Sequence, residues 1–282
     1  MACGCCHGAD LVPLLRAPAR DRSAVLVLHC RTCAALTAAW PSEVRDEVAR
    51  QAAFHEYWWE GEDRAQLLEE RDAMRGLLEF HAARHLVYDL GAGRANLLAC
   101  LRAEGFQAIG CEPALALVAR AREVYGLGPD VLAEATAEAF LDSRPDDEGS
   151  IDAIFLWHVL EHLTDPVSLL ARLAKRLSPC GAILAQGPLL APDYVYPEHL
   201  FFHTESNVNW LAAQAGLKPL LIEAQNPERF ISFVLVHSDH PDEAVAPFFG
   251  SDPLDAAGAL YFTLSSALRA ETIRRESMAT RA

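Results

Sequence analysis

The sequence predicts an α/β fold, in which helices cover both faces of a Rossmann-like, seven-stranded and mostly parallel sheet. Apolar, strand-like runs alternate with helical patterns between residues 86 and 236, and a glycine-rich turn follows the first of these strands. Such alternation favours parallel strands with a ligand at their carboxyl ends. Residues 230–236 follow the preceding strand too closely for a helical crossover, so we expect the last strand to pair antiparallel.

The individual elements follow from the spacing of the apolar residues. Strands are expected near residues 86–90, 107–111, 130–133, 151–157, 181–187, 217–224 and 230–236. Helices are expected at 94–104, 114–125, 166–177 and 204–215, with one more at 255–275 after a loop rich in Pro, Asp and Gly. Residues 41–80 also have a helical pattern, interrupted by an aromatic-dense stretch at 54–59.

Composition narrows the class of protein. A chain of 282 residues, half of them hydrophobic, can bury one large core and a small appendage. No apolar run approaches the roughly 20 residues of a membrane span, and no secretory signal is visible, so we expect a cytoplasmic protein. A net charge of −15 without clustered Lys and Arg argues against nucleic acid and anionic membranes as partners. The oligomeric state is left open.

Cysteines are concentrated at the N-terminus and predict a structural zinc site. Four of them form two C-x-x-C pairs: Cys3, Cys6, Cys30 and Cys33. Two such knuckles complete a tetrahedral site, and a segment this short needs a metal to hold it together. Cys5 and His7 make the first knuckle ambiguous, since Cys5 is an alternative to Cys3 or Cys6. A disulfide pair or an unstructured start are the competing readings, and a cytosolic setting disfavours disulfides.

The turn after the first strand of the sheet predicts a nucleotide site. Gly91 and Gly93 have no Cβ, which lets the backbone approach a ligand closely. Glu112 ends the next strand, where a carboxylate can accept both hydroxyls of a ribose. A dinucleotide fingerprint has glycine at the third position of G-x-G-x-x-G, but this chain has Asn96 there. A nicotinamide-dependent oxidoreductase is therefore disfavoured.

These motifs together resemble those of the class I S-adenosylmethionine-dependent methyltransferases. Asp89 precedes the glycines in a D-x-G-x-G pattern, residues 151–162 look like the fourth strand and its turn, and residues 177–182 look like the turn entering the fifth. That last turn is usually L-x-P-G-G, and Cys180 replaces its first glycine here. The resemblance covers about residues 80–236.

The resemblance implies roles for the cofactor-binding residues. Asp89 would receive the methionine ammonium, Gly91 and Gly93 would make room for the methionyl part, and Glu112 would bind the ribose. An adenine contact would come from the Thr136 hydroxyl or the Ala137 backbone N–H, and the His158 carbonyl is a second candidate for the ammonium. Residues 41–80 would form a lid, from which Tyr57 reaches the methionine end; ordinary aromatic packing is the alternative for Tyr57.

The segment after the fifth strand resembles part of an acceptor site. Tyr196-x-Glu198-His199 is similar to the Y-x-E-H segment of the sugar C-methyltransferases of antibiotic biosynthesis, which also carry an N-terminal zinc ribbon. A neutral His199 would act as general base, with Glu198 orienting its ring and the His158 imidazole facing the substrate. The sugar enzymes have an extra C-terminal domain, for which too few residues follow the last predicted strand.

We therefore expect methylation of a small molecule on carbon, oxygen or nitrogen, in natural-product or cell-envelope biosynthesis. The expected parts are a zinc-ribbon-like segment (1–40), a helical lid (41–80), a cofactor-binding methyltransferase domain (81–240), and a loop with a C-terminal helix (241–282). The alternative from another class is a catalytically silent scaffold, which binds the cofactor and uses the zinc ribbon to contact partners.

Overall fold

The computed structural model describes residues 1–19, 23–41, 43–44, 86–103, 105–144, 151–225 and 230–240. The predicted lid with Tyr57 and the predicted C-terminal helix lie outside these ranges. Within them, no helix has both the length and the apolar character needed to cross a membrane.

The N-terminal segment is a small antiparallel sheet. Its strands are β1 (Leu11–Pro18), β2 (Ala24–Cys30) and β3 (Leu36–Ala38), with β2 in the centre. One C-x-x-C pair precedes β1. In the second pair, Cys30 is the last residue of β2 and Cys33 lies in the turn that leads to β3. The pairing of the strands therefore brings the two knuckles to the same end of this small sheet.

The main sheet has seven strands in the order β6-β5-β4-β7-β8-β10-β9. Its strands are β4 (Leu86–Leu90), β5 (Gln107–Glu112), β6 (Leu132–Glu134), β7 (Ile151–Trp157), β8 (Leu177–Pro188), β9 (Leu217–Gln225) and β10 (Phe230–His237). Strands β4 to β8 pair in parallel, whereas β10 is antiparallel to both β8 and β9. The Rossmann-like fold and the antiparallel last strand are confirmed.

Helices connect these strands, and apolar clusters fill both faces of the sheet. The helices are α1 (Asn96–Ala103), α2 (Leu115–Tyr125), α3 (Ala137–Asp142), α4 (Pro166–Ala174) and α5 (Glu205–Gln214). Along β7, Ile154 and Leu156 belong to the cluster on one face, while Ala153 and Phe155 belong to the other. This alternation is expected for a parallel strand that is buried on both sides.

Two local features differ from the sequence expectation. Helix α3 was not predicted, because it is short; Thr136 caps it by accepting a hydrogen bond from the Ala139 N–H at 3.3 Å. Residues 177–181, predicted as a turn, are instead the start of β8, with a shift of register against β7. A Cβ on Gly181 would lie 2.6 Å from the Ile151 carbonyl oxygen, so this irregular pairing requires glycine.

The N-terminal sheet docks on the segment that leads into α5. Leu36 and Phe202 exchange two backbone hydrogen bonds, of 3.1 and 2.7 Å. The fully buried Asn207 side chain donates from Nδ2 to Cys5 Sγ at 3.4 Å and to the Cys33 carbonyl at 3.1 Å. Its Oδ1 lies 3.0 Å from His203 Nδ1. One buried amide therefore connects both cysteine knuckles to the core.

We predict that Asn207→Ala lowers the free energy of unfolding by about 1–3 kcal/mol, because it leaves buried polar partners unsatisfied. Asn209→Ala is the matched control, since Asn209 is on the same helix but exposed to solvent. Urea denaturation of both variants measures the difference, and equal losses in the two would show that Asn207 does not anchor the ribbon.

Candidate functional site

The turn after β4 has a conformation that favours glycine. Gly91 and Gly93 have φ angles of +72° and +54°. The N–H groups of Gly91 and Ala92 both donate to the Cys111 carbonyl at 2.9 Å, which holds the turn against the end of β5. A Cβ on Gly91 would lie 2.5 Å from Val159 Cγ2, whereas no atom of the described residues lies within 4 Å of the Cβ position of Gly93. The described residues therefore leave space for a ligand beside Gly93.

Glu112 ends β5 and ties this turn to the next helix. Its Oε2 accepts a hydrogen bond from the Gly93 N–H and its Oε1 accepts one from the Ala114 N–H, both at 2.9 Å. The side chain is buried, and each carboxylate oxygen can accept a second hydrogen bond. The carboxylate is thus fixed in orientation while it retains capacity to bind a ligand.

Asp89 is a buried acid with one unsatisfied carboxylate oxygen. The residue is only 4% exposed, and its Oδ2 has no hydrogen-bond partner among the described residues. Burial raises the pKa of the Asp89 carboxyl to about 7, with a further contribution from the charge of Glu112, against a hydrogen bond from the Leu98 backbone. The site therefore presents a buried acceptor that a cationic group would stabilise in its charged form.

Thr136 and Ala137 lie beyond the end of β6, next to the strand that Glu112 terminates. Thr136 is exposed, and its hydroxyl oxygen already accepts the capping hydrogen bond of α3. The hydroxyl hydrogen remains available to donate. The structure therefore places both residues at the same edge of the sheet as Asp89 and Glu112.

His158 and Glu161 form a pair after β7. His158 has a φ of +54°, and its Nδ1 lies 3.2 Å from Glu161 Oε1. Its ring meets Phe230 edge-on at 4.8 Å, and about a third of the side chain is exposed. Burial of Glu161 by itself would raise the pKa of its carboxyl, but the hydrogen bond from His158 and the neighbouring histidines overcome this and lower it. Glu161 is therefore ionised.

The structure corrects the predicted surroundings of His199. Its Nδ1 lies 2.8 Å from the Tyr194 carbonyl, and its Nε2 faces Glu161 Oε1 at 3.9 Å. Within the described part of the chain, the Glu198 side chain makes no hydrogen bond to this ring, so Glu198 does not orient it. The adjacent Tyr196 ring does pack on it, with 3.9 Å between centroids.

Burial also bears on the predicted role of His199 as a base, which stays a prediction. The residue is 1% exposed, and burial lowers the pKa of its imidazole despite the opposing charge of Glu161. The ring is neutral, but its unprotonated nitrogen points inward. His158, whose side chain is about a third exposed, is the more accessible of the two.

Sequence reasoning missed the central part played by Glu161, which is completely buried. The ring of the neighbouring His162 lies 4.9 Å from that of His199, and its Nδ1 contacts the Glu198 carbonyl at 3.1 Å. The H-x-x-E-H spacing of residues 158–162 could have indicated this pairing. In a helical turn, residues i and i+3 lie on the same side, which brings His158 and Glu161 together.

The two cysteine knuckles meet as predicted. The sulfur atoms of Cys3, Cys6, Cys30 and Cys33 all lie within 4.8 Å of one another. Cys3 and Cys33 approach to 3.6 Å, as do Cys6 and Cys30. The ambiguous residues have other contacts. Cys5 Sγ accepts from Asn207 Nδ2 but also lies beside the Cys33 thiol, and His7 Nε2 contacts the Thr164 carbonyl at 2.6 Å.

We predict that Asp89→Asn raises the free energy of unfolding of the ligand-free protein at pH 8, by about 1–3 kcal/mol. The pKa of Asp89 is about 7 in the folded state against an ordinary 3.8, so its ionisation destabilises the fold increasingly as pH rises between these values. The gain should shrink toward pH 4. Urea denaturation at several pH values measures it.

The control for this prediction is Asp239→Asn, because Asp239 is exposed and its neutralisation should have little effect. A loss of stability in Asp89→Asn at pH 8, or a gain that does not depend on pH, would contradict the assignment of Asp89 as a strained, charged acid.

Comparisons with known proteins agree with this geometry. A family profile described as "Methyltransferase domain" matches residues 59–222. The ubiquinone biosynthesis O-methyltransferase of Xanthomonas oryzae pv. oryzae is 28% identical over 146 residues, which are 49% of this chain and 59% of that enzyme. The same enzyme of Xanthomonas campestris pv. campestris is 28% identical over 144 residues, with 49% and 58% covered. The chain thus spans less than two thirds of these relatives.

Solved structures of similar fold include the Burkholderia thailandensis 1,6-didemethyltoxoflavin-N1-methyltransferase, which was determined with bound S-adenosylhomocysteine. The match has a TM-score of 0.47 and 16% sequence identity, and it covers 75% of this chain and 99% of that enzyme. A Haloferax volcanii complex of the Trm112 activator and a methyltransferase has a TM-score of 0.48 at 19% identity, with 70% and 99% covered. Because the family profile spans more than half of the 282 residues, the chain belongs to the class I S-adenosylmethionine-dependent methyltransferases.

Proposed function

We propose that this chain binds S-adenosylmethionine at the carboxyl ends of β4 and β5 and transfers its methyl group to a small molecule. The observation that carries the proposal is the buried Asp89 Oδ2, which has no partner within the described ranges and lies beside the Gly91 turn. Asp89 would take the cofactor's ammonium, which supplies the missing positive charge. When bound, the cofactor supplies a methyl group activated by a sulfonium.

The residues next to Asp89 would bind the adenosine part of the cofactor. Glu112, fixed by two backbone N–H groups, would accept the ribose hydroxyls with its remaining lone pairs. Leu115 is 61% exposed three positions further on, where its apolar side chain would cover the adenine ring. Thr136 and the Ala137 N–H would contact the edge of the base. Gly91 and Gly93 would leave room for the methionyl chain.

We assign the proton-accepting role to His158 in place of His199. Because Glu161 accepts the hydrogen of His158 Nδ1, the other ring nitrogen carries a lone pair and is held in a fixed direction. Val159, the next residue, touches the Gly91 turn, so this histidine lies beside the cofactor. Tyr196 and Glu198 would line the acceptor side of the site. Methyl transfer itself depends mainly on positioning.

Oxygen is our first choice of acceptor atom, because the curated relatives are named as O-methyltransferases of ubiquinone biosynthesis. Carbon and nitrogen remain the alternatives. The resemblance of residues 194–202 to enzymes of natural-product pathways supports a substrate of that class or of cell-envelope biosynthesis. Transfer of labelled methyl from the cofactor to a panel of small phenols and sugars distinguishes this enzyme from a silent cofactor-binding scaffold.

We further propose that Cys3, Cys6, Cys30 and Cys33 hold a structural zinc ion. Zn–S bonds of about 2.3 Å in a tetrahedron place sulfurs roughly 3.8 Å apart, close to the 3.6 Å of the two nearest pairs. Backbone N–H groups of Cys5 and Gly8 donate to Cys3 and Cys6 Sγ at 3.4 Å, which would stabilise thiolates. Four thiolates leave no open position, so the ion would hold the ribbon together and take no part in catalysis.

Calorimetric titration tests the cofactor site. We expect micromolar binding of S-adenosylmethionine and S-adenosylhomocysteine and none of NAD. Glu112→Gln should weaken binding by at least about tenfold, since it removes charge-assisted hydrogen bonds to the ribose. Glu123→Gln is the matched control, because that side chain is 65% exposed on α2. Failure of the folded wild-type protein to bind either compound would overturn the proposal.

Metal analysis tests the ribbon. Cys3→Ser should lose about one equivalent of zinc per chain and lower the melting temperature, because only three thiolates remain. Cys5→Ser should retain its zinc, since Cys5 Sγ faces Asn207. If both variants keep or both lose the metal, the proposed ligand set is wrong.

A further inference from the structure

A second cluster of potential metal ligands lies outside the cysteine ribbon. Ligand atoms of Glu161, His162 and His199 all lie within 4.8 Å of one another. Glu161 and His162 come from the short 3₁₀ turn Leu160–His162 after β7, and His199 comes from the segment before α5. The Leu200 N–H donates to the Glu161 carbonyl at 2.8 Å, which fastens the two segments together. The cluster is therefore assembled by the main chain as well as by its side chains.

The tautomers of both histidines follow from their contacts. His199 Nδ1 lies 2.8 Å from the Tyr194 carbonyl, and His162 Nδ1 lies 3.1 Å from the Glu198 carbonyl. A carbonyl oxygen can only accept, so each Nδ1 carries a hydrogen, and Nε2 of each neutral ring carries the lone pair. Metal-binding histidines are held in this way, with the non-coordinating N–H donating to a backbone carbonyl.

The Glu161 carboxylate, which lies between the two histidines, is only partly hydrogen-bonded. Glu161 is completely buried, and its Oε1 accepts from His158 at 3.2 Å, while Oε2 has no hydrogen-bond partner in the described ranges. His199 Nε2, an acceptor by the tautomer above, faces this carboxylate at 3.9 Å. Two acceptors that face each other in a buried place repel, and a cation between them removes the repulsion.

We propose that Glu161, His162 and His199 bind a divalent first-row transition ion such as Zn²⁺ or Mn²⁺. Two imidazoles and one carboxylate form a donor set of intermediate softness, which suits these ions. Bonds of about 2.0–2.2 Å place ligand atoms roughly 3.3 Å apart, so the ligand atoms, which now lie within 4.8 Å of one another, would have to move closer together around the ion. As a ligand, His199 uses its only lone pair, which agrees with the assignment of the proton-accepting role to His158.

The ion would differ from that of the ribbon in its coordination. Three protein ligands leave at least one position for water, in contrast to the four thiolates of the cysteine site.

Metal uptake by the full-length protein tests the proposal. Chelator-treated protein is titrated with Co²⁺, whose absorption distinguishes thiolate ligands from nitrogen and oxygen ligands. We expect two equivalents per chain, one with thiolate charge-transfer bands and one without them. Glu161→Gln and His162→Ala should weaken the second by about 100-fold or more and leave the first unchanged. His237→Ala, on β10, is the matched control and should retain both.

Cobalt uptake of one equivalent with thiolate bands alone would overturn the proposal, and so would a second equivalent that both Glu161→Gln and His162→Ala retain. The number of Co²⁺ equivalents bound by the wild-type protein tests the proposal even if a variant fails to fold. Binding of S-adenosylmethionine by His162→Ala should equal that of the wild type, because Asp89 and Glu112 are intact. Loss of cofactor binding in the wild type would instead refute the proposed function and leave the metal result standing.

Discussion

Burial of acidic side chains at the carboxyl edge of the parallel sheet is the constraint on which the rest of the site depends. Glu112 is satisfied within the chain by two backbone N–H groups. Asp89 and Glu161 each keep one carboxylate oxygen that has no hydrogen-bond partner among the described residues. A protein tolerates an unsatisfied buried acid when a ligand supplies the missing partner, because the free energy lost in folding is then regained in binding.

The N-terminal ribbon supports the segment of the main domain that precedes α5. Its strand β3 pairs with Phe202, and Thr204 donates to the Ala34 carbonyl at 3.0 Å, so the ribbon supports the segment that carries Tyr196 and His199. A Cβ on Gly4 would lie 2.0 Å from the Leu200 carbonyl oxygen, which shows how closely the two parts approach. A metal ion at the cysteine site would therefore also stabilise the proposed acceptor side of the main site.

Local patterns predicted much of the fold, and they predicted that a glycine turn and the strand-ending acid Glu112 lie together, because these features are encoded by neighbours in sequence. Helix α3 escaped because six residues give too little periodicity. The surroundings of His199 were predicted wrongly, because its contacts are to a carbonyl of its own loop and to Glu161, which is remote in sequence. Spacing within Y-x-E-H carries no information about such contacts.

Proton release on cofactor binding tests the central claim most directly. Calorimetric titration with S-adenosylmethionine at pH 6, in buffers of different ionisation enthalpy, counts the protons exchanged. With a ligand-free pKa of about 7, Asp89 is mostly protonated at pH 6, and an incoming ammonium should displace about one proton per site. Asp89→Asn should release none. Tight binding by the wild type without proton release would contradict the account, because the ammonium would then be bound by some group other than Asp89.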